Sequence, residues 1–220
     1  MEAYLLINNP SDLSKIENTR ERILATAKIL FSQGGVHGTS IREIAKLADV
    51  NLAAINYHFK NKENLFYEIT RNCYQAMAQE INAIAQQKNW NTEDFSVAIL
   101  NFMIEHSQGL AVTFKLFLSE HNNTNCFDSN IDQQDMMFGP PGGKSMHQII
   151  LNEVGGEVDF ESLVWAIQVI FTHLIHKVLM RSSFKQGPQD NHPQKHFFEP
   201  KFLERGLRRL VKVVLNELKA

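Results

Sequence analysis

The sequence predicts an all-α fold, with a small N-terminal three-helix unit followed by a larger C-terminal helical domain. Apolar residues recur at helical spacing along most of the chain, and no segment shows the alternation expected of a strand. Capping residues and glycines bound several helical segments, as Ser40 and Gly34 do. The 220 residues, of which 44% are hydrophobic and 15 are Phe, suffice for one small domain and one larger one.

The first unit begins with a long amphipathic helix, expected from about residue 19 to residue 33. Gly34 and Gly35 stop this helix, because glycine readily adopts the left-handed conformation that ends helices. After two shorter helices, Asn61 is placed to cap another long helix that runs to about residue 87. This last helix is expected to connect the two parts of the chain.

Between these helices, residues 39–59 predict two short helices joined by a tight turn. Ser40 is an N-cap for the first, and Glu43 three residues later completes a capping box. Asp49 and Asn51 end it, and the second helix is expected over residues 52–57. This is a helix-turn-helix pattern, whose second helix suits the major groove of DNA.

The rest of the chain is predicted to be helical with two polar interruptions. Residues 1–15 are expected to form a flexible arm. Residues 122–143 are rich in Asn, Asp, Gly and Pro and predict a long loop. Residues 183–197 predict a polar linker. Helices are expected over residues 92–107, 110–121, 144–153, 160–182 and 200–218.

Four short motifs in the first 70 residues occur in a characteristic order: Thr19-Arg20-Glu21-Arg22-Ile23-Leu24, Phe31 before Gly34-Gly35, Thr39-Ser40-Ile41-Arg42-Glu43-Ile44-Ala45, and Tyr57-His58-Phe59 followed by Lys62-Glu63. Together they resemble the DNA-binding domain of TetR-type (TetR/AcrR) transcriptional regulators. The resemblance covers about a quarter of the chain. Many relatives carry Ser-Lys-Gly-Thr-Leu-Tyr in the recognition helix, and residues 51–56 of this chain depart from that pattern. The recognition helix is instead weakly similar to that of the CecR-like subgroup.

The resemblance implies a helix-turn-helix DNA-binding domain over 16–70 and a ligand-binding and dimerisation domain over 71–220. It also implies a homodimeric repressor, released from a palindromic double-stranded DNA operator by a small hydrophobic effector. No cofactor is expected, and no catalytic constellation is evident. Two alternatives stay open. One is a helical enzyme that binds small molecules, and the other is a protein that tethers DNA without a ligand.

Charge and composition support a DNA-binding protein of the cytoplasm. Residues 15–72 hold nine Lys or Arg and six Asp or Glu, a net charge of +3, whereas the whole chain carries −2. Attraction to phosphates dominates non-specific DNA affinity, although a chance scatter of charges is the alternative. No apolar run is expected to approach the roughly 18–20 residues needed to span a bilayer, and no signal peptide is expected. Cys73 and Cys126 suggest neither a disulfide framework nor a metal cluster.

The predicted DNA-binding residues lie in and around the second short helix. Asn56 can pair with adenine or bind a phosphate, and a thymine methyl group can contact Leu52 or Ala53. Hydroxyl, imidazole and ammonium groups around this helix suit phosphates. Core packing is the alternative for Tyr57, and a turn-forming cap is the alternative for Asn51. The full predicted set is Thr39, Ser40, Asn51, Leu52, Ala53, Asn56, Tyr57, His58 and Lys62.

The C-terminal half suggests a dimer interface and a ligand pocket. The helices expected over 160–182 and 200–218 carry more apolar residues than one face needs, so they are expected to pair with a second copy. Burial within one chain is the alternative. The predicted interface residues are Ile167, Phe171, Leu174, Leu207, Leu210 and Val214. The predicted ligand-binding residues are Phe102, His106, Phe114, Phe117, His121 and Trp165, for which ordinary core packing is the alternative.

Two other patterns are weaker. His173 and His176 are spaced for one helical face, but no acid or cysteine accompanies them, so no metal site is predicted. Residues 139–145 resemble a phosphate-binding loop at their end only. Phe138 stands where such a loop needs glycine, and Pro140 and Pro141 lack the amides that would hold phosphate.

Overall fold

The computed structural model describes residues 10–119, 137–155, 157–182 and 195–219. These ranges contain helices and no strand, as predicted. Short 3-10 helices cover Pro10–Lys15 and Lys195–Phe198. The α-helices are α1 (Thr19–Gly38), α2 (Ile41–Leu47), α3 (Leu52–Phe59), α4 (Lys62–Ala85), α5 (Thr92–Glu105), α6 (Ser107–Ser119), α7 (Gly143–Val154), α8 (Phe160–Ser182) and α9 (Pro200–Glu217).

The chain divides into two compact units whose boundary differs from the predicted one. Unit 1 comprises Met1–Ala76 and Gln108–Asn130, and unit 2 comprises Met77–Ser107 and Ile131–Ala220. The prediction assigned α6 to the C-terminal domain. In the structure, Leu116 of α6 is 1% exposed and belongs to the same apolar core as α1 to α3. α6 therefore joins the N-terminal unit because its apolar side chains are buried there.

The core of unit 1 is formed by the inward faces of α1, α2, α3 and the first part of α4. Asn18 caps α1 by accepting hydrogen bonds from the backbone N–H groups of Arg20 and Glu21. The continuity of α1 is broken at Gly35, whose φ of 71° is left-handed. Leu13, in the segment predicted to be a flexible arm, is buried in this core. The arm prediction is therefore wrong for residues 10–15, and residues 1–9 lie outside the described part.

Unit 2 is a helical bundle in which α8 packs against α5, α7 and α9. Arg208 of α9 fastens the bundle at its surface by donating a hydrogen bond to Asp94 of α5, 2.8 Å away, and another to Glu204. The hydrogen bond from Arg208, with a smaller one from Asn91, lowers the pKa of the Asp94 carboxyl. Asp94 therefore stays ionised and keeps α5 and α9 joined.

One described helix, α8, is long and apolar enough by length and composition to cross a membrane. Its mean hydropathy over an 18-residue window is 1.6, so the expectation that no segment reaches this length is wrong. Such helices also occur in the cores of soluble proteins. Ile167, Ile170 and Leu174 of α8 are fully buried in unit 2, which gives α8 a core role here. That the chain has no membrane partner stays a prediction.

Candidate nucleic-acid interface

The helix-turn-helix is held by local hydrogen bonds that its sequence specifies. The Ser40 hydroxyl accepts from the N–H of Glu43 at 3.1 Å, and the Glu43 carboxylate accepts from the N–H of Ser40 at 2.7 Å. The hydrogen bond from the Ser40 backbone N–H, followed by one from the Ser40 side chain, lowers the pKa of the Glu43 carboxyl. Asp49 makes the turn with a left-handed φ of 53°. The capping box predicted for α2 is therefore present.

Arg22 of α1 fixes this turn from behind. Its Nε donates to the Ala48 carbonyl at 2.9 Å, and its Nη1 donates to the Ile16 carbonyl at 2.8 Å. Arg20 forms an ion pair with Glu68 and lies over the Phe59 ring, 5.2 Å from its centroid. Arg20 and Arg22 therefore stabilise unit 1, and their charged groups are already occupied by contacts within it.

The recognition helix, α3, has one buried side and one exposed side. Ile55 and Phe59 are buried in the unit 1 core at 1% and 3% exposure. The Asn51 side chain caps the helix by accepting from the Ala54 N–H at 2.7 Å. The predicted DNA-binding residues on the exposed side are Leu52, Ala53, Asn56 and Tyr57, and Tyr57 is 85% exposed.

Two of the predicted DNA-binding residues face inward instead. Thr39 is 5% exposed, and its hydroxyl donates to the Gly35 carbonyl at 2.9 Å. Lys62 is half-buried and donates from Nζ to the Val36 carbonyl at 2.7 Å and to the Thr39 carbonyl at 3.1 Å. Because these groups hold the end of α1 in place, the structure gives Thr39 and Lys62 a structural role rather than phosphate contacts.

The remaining predicted residues divide between roles. Ser40 is exposed and serves as the cap of α2, while Asn51 serves as the cap of α3. His58 is half-buried between the rings of Tyr57 and Phe59, with centroids 5.2 Å and 5.9 Å away. Ser40, Asn51 and His58 can each still lie near a phosphate. Of these, only Ser40 and Asn51 have exposed side chains at helix N-termini, where the helix dipole favours anions.

Three exposed cations that were not among the predicted DNA-binding residues flank the recognition helix. Arg42 and Lys46 are exposed on α2, and Lys60 is exposed directly after α3. Lys60 adopts a left-handed φ of 66° as the C-cap of α3. The positive charge count of this region was the available signal, but the count did not distinguish exposed cations from the engaged Arg20, Arg22 and Lys62.

The residues predicted for the dimer interface are mostly buried within unit 2 itself. Five of the six are at most 2% exposed, so they cannot contact another molecule directly: Ile167, Phe171, Leu174, Leu207 and Val214. Leu210 alone is half-buried, and it lines an open groove of about 570 Å³ on the outer side of α8 and α9. The other groove residues are Trp165, Gln168, Val169, Thr172, His173 and His176.

The predicted ligand-binding residues that the structure describes are divided between the two units. Phe102 and His106 of unit 2 are half-buried with ring centroids 5.0 Å apart. Phe114 belongs to unit 1 and is 2% exposed, while Trp165 is 43% exposed in the outer groove. The side chain of Phe117 and the whole of His121 lie outside the described part. These positions therefore stay predictions.

The histidines of α8 lie in the same groove. Burial, followed by the nearby Lys177 and His176, lowers the pKa of His173. Its Nε2 atom is buried and has no hydrogen-bond partner among the described residues. Within that part of the chain, no group of three or more His, Cys, Asp or Glu is arranged to hold a metal ion.

The exposed recognition helix, its two caps and the surrounding cations define a helix-turn-helix protein of the DNA-binding class. Residues 23–69 match the family described as "Bacterial regulatory proteins, tetR family". Residues 23–69 therefore form a DNA-binding domain of the TetR family, and the resemblance seen in the sequence is confirmed. The narrower CecR-like resemblance stays a prediction.

Individual relatives agree with this assignment. The chain is 35% identical over 88 residues to the "Probable HTH-type transcriptional regulator YttP" of Bacillus subtilis (strain 168), covering 40% of this chain and 42% of YttP. It is 55% identical over 53 residues to the HTH-type transcriptional regulator AcrR of Shigella flexneri, covering 24% of this chain and 25% of AcrR. The matches thus span less than half of either relative.

The fold extends the likeness over most of the chain. The TetR family transcriptional regulator PfmR from Thermus thermophilus superposes with a TM-score of 0.56 at 18% identity, covering 91% of this chain and 97% of PfmR. An identity this low shows a common fold. The predicted all-α architecture, with an N-terminal helix-turn-helix and a C-terminal helical domain, is confirmed.

Proposed function

We propose that the chain is a homodimeric transcriptional regulator of the cytoplasm that binds an operator through α3 and represses the gene beside it. The observation that carries the proposal is the exposed side of α3, whose residues are displayed while Ile55 and Phe59 anchor the helix. The Asn56 side chain makes no hydrogen bond within the described residues, so its amide is available to a base edge. The exposed Lys60, Arg42 and Lys46 supply attraction to phosphates.

A dimer is part of this proposal because helix-turn-helix proteins grip palindromic sites with two recognition helices. The helices must reach successive major grooves, about 34 Å apart or a suitable multiple. The groove on α8 and α9 is the supporting feature, since exposed Trp165 lies there with half-buried Val169 and Leu210. Apolar side chains at such a groove are suited to burial against a second copy.

We further propose that a small, largely hydrophobic effector releases the DNA. The family resemblance implies such a ligand, and half-buried Phe102 and His106 supply an apolar and a polar contact for one. An effector can weaken operator binding only if it prefers a conformation whose recognition helices are badly spaced. In this proposal the effector is bound but not chemically converted, because the chain is proposed to have no enzymatic activity.

The test is a titration of the full-length protein onto duplex DNA taken from upstream of its own gene. Specific binding should exceed binding to a shuffled duplex by about a thousandfold or more. A library of hydrophobic small molecules is then screened for release of the DNA. Equal binding to both duplexes would contradict the regulator proposal.

The outcome also separates the alternatives. Specific binding that no library compound weakens favours the DNA-tethering protein. Absence of DNA binding, together with tight binding of a library compound and its chemical turnover, favours the helical enzyme. Sedimentation of the protein as a monomer at micromolar concentration would contradict the dimer.

A further inference from the structure

The exposed side of α3 has a composition that bears on which base pairs it can read. At about 100° per residue, the side chains of Leu52, Asn56, Ala53 and Tyr57 follow one another within roughly 140° around the helix. All four are exposed, and the buried Ile55 points the other way. What α3 offers to a groove is therefore one amide, two small alkyl groups and a phenol.

Cations are absent from α3 itself, whose eight residues are Leu-Ala-Ala-Ile-Asn-Tyr-His-Phe. The commonest specific contact to guanine is a bidentate one from Arg or Lys to O6 and N7. The exposed cations named above lie outside this helix, with Arg42 and Lys46 on α2 and Lys60 directly after the end of α3. In helix-turn-helix docking the first helix crosses the backbone, and N-terminal residues of the second contact bases. These cations are therefore placed for phosphates.

Two exposed amide side chains lie at the start and on the exposed side of α3, and one of them is already engaged. The Oδ1 atom of Asn51 accepts from the Ala54 N–H and is occupied by capping. Asn56 lies one turn further, in the middle of the exposed side, with its side chain unbonded within the described residues. Asn pairs bidentately with adenine through N6 and N7, and alkyl side chains pack on the thymine methyl group.

We infer that α3 reads A·T base pairs, with Asn56 contacting adenine and Leu52 and Ala53 packing on thymine methyl groups. The inference rests on the proposed operator binding and names the class of half-site that this helix recognises. Tyr57, at the edge of the exposed side, contacts the backbone and carries no sequence information. Specificity is thus assigned to three side chains of α3 and affinity to the cations around it.

The test begins with selection of duplexes by the full-length protein from a library of random sequence. The enriched half-site should have an A·T core. In that half-site, 7-deazaadenine then replaces each adenine in turn, which removes only the N7 acceptor. Deoxyuridine replaces each thymine, which removes only the methyl group. Binding is measured by fluorescence anisotropy at one fixed salt concentration.

Asn56→Ala should weaken binding about 5- to 150-fold, which corresponds to the value of a bidentate pair. Replacing one adenine by 7-deazaadenine should weaken the wild type at least several-fold and leave Asn56→Ala within about twofold, because the contact is already lost. Deoxyuridine at one thymine should cost the wild type about threefold and Leu52→Ala less. Asn101→Ala, at an exposed position on α5, is the control and should match the wild type.

Three results would overturn the inference. The first is a half-site whose core is G·C and whose recognition depends on Lys60 or Arg42. The second is an equal loss for Asn56→Ala on the selected duplex and on random DNA. The third is 7-deazaadenine acting on the wild type and on Asn56→Ala alike. If no sequence is enriched at all, the proposed operator binding fails together with the inference about A·T base pairs. The three results above would leave the proposed operator binding intact.

Discussion

Helices α3 and α8 differ in how their exposed and buried sides are arranged. α3 has eight residues, and two of them anchor it in the core while the opposite side, which carries Asn56 and Tyr57, is exposed. α8 has 23 residues and is apolar around most of its circumference. Its inner side carries Ile167, Ile170 and Leu174, and its outer side carries Trp165 and Val169. An exposed side with an amide and a phenol opposite a buried side indicates where α3 binds, whereas the apolar residues of α8 are consistent with a core or an interface.

The largest expected effect concerns the two sides of α8. Ile167→Glu places a carboxylate where the side chain is fully buried, so it should destabilise the fold by at least about 3 kcal/mol. The adjacent Gln168→Glu adds the same charge to the outer groove and should leave the free energy of unfolding within about 0.5 kcal/mol. Urea denaturation measures both.

Gln168→Glu should instead weaken self-association by about tenfold or more, because the charge loses water when a second copy covers the groove. Sedimentation of the folded variant checks this. An Ile167→Glu protein as stable as the wild type would contradict the packing of α8. Unchanged self-association of Gln168→Glu would show that the dimer forms on another surface.

A second test compares two lysines at the end of the recognition helix. Lys62→Met removes two hydrogen bonds to the Val36 and Thr39 carbonyls and should cost about 2 kcal/mol of stability. Lys60→Met should change stability by less than about 0.5 kcal/mol, because Lys60 is exposed. Thermal or urea unfolding gives both values.

The order of the two lysine variants should be reversed for DNA binding, where Lys60→Met should have the larger effect. Lys60→Met should weaken operator and random DNA alike and reduce the salt slope by about one unit, while Lys62→Met should preserve the slope once the protein is folded. A lower salt slope for Lys62→Met would restore its predicted phosphate contact.

Most of the fold was predictable because its helix boundaries carry local signals. The capping box at Ser40, the cap at Asn51 and the break at Gly35 each act within a few residues. The apolar helix predicted over 160–182 also has the observed bounds, since a continuous apolar pattern marks its length. What failed was the assignment of α6, because its place in the core of unit 1 depends on contacts distant in sequence.

The candidate site was predictable only where the helix has two unlike sides. The exposed positions of Asn56 and Tyr57 followed from the helical period. The engagement of Lys62 and Thr39 did not, because it depends on carbonyl groups of α1 that come near only in the folded chain. For Leu207 and Val214, apolar character was consistent with an interface or a core, and the structure places them in the core.

A third prediction concerns a buried polar cluster in unit 1. Lys28 of α1 is fully buried, and burial lowers its pKa, with a smaller opposing contribution from the nearby Cys73. The unfolded chain therefore holds the proton more tightly than the folded one. The contribution of Lys28 to stability should rise with pH between its lowered pKa and about 10.4, by up to about 1.4 kcal/mol per pH unit.

Urea denaturation of wild type and Lys28→Met at several pH values measures this contribution as the difference between the two proteins. Burial raises the pKa of Cys73, whose own effect has the opposite sign and begins above the ordinary thiol pKa. Cys73→Ala in both proteins removes that effect. A stability difference that does not change from pH 6 to pH 10 would contradict the shift at Lys28.

The smallest expected effect separates two roles of Ser40. Ser40→Ala removes the side-chain cap of α2 and should cost about 1 kcal/mol of stability. The Ser40 backbone N–H still donates to Glu43, so most of the lowered Glu43 pKa should remain. Ser40→Asp keeps a capping oxygen but adds negative charge, so it should retain stability and weaken DNA binding through repulsion of phosphate. If Ser40→Asp binds the selected duplex as tightly as the wild type, Ser40 is a cap alone and no phosphate lies beside it.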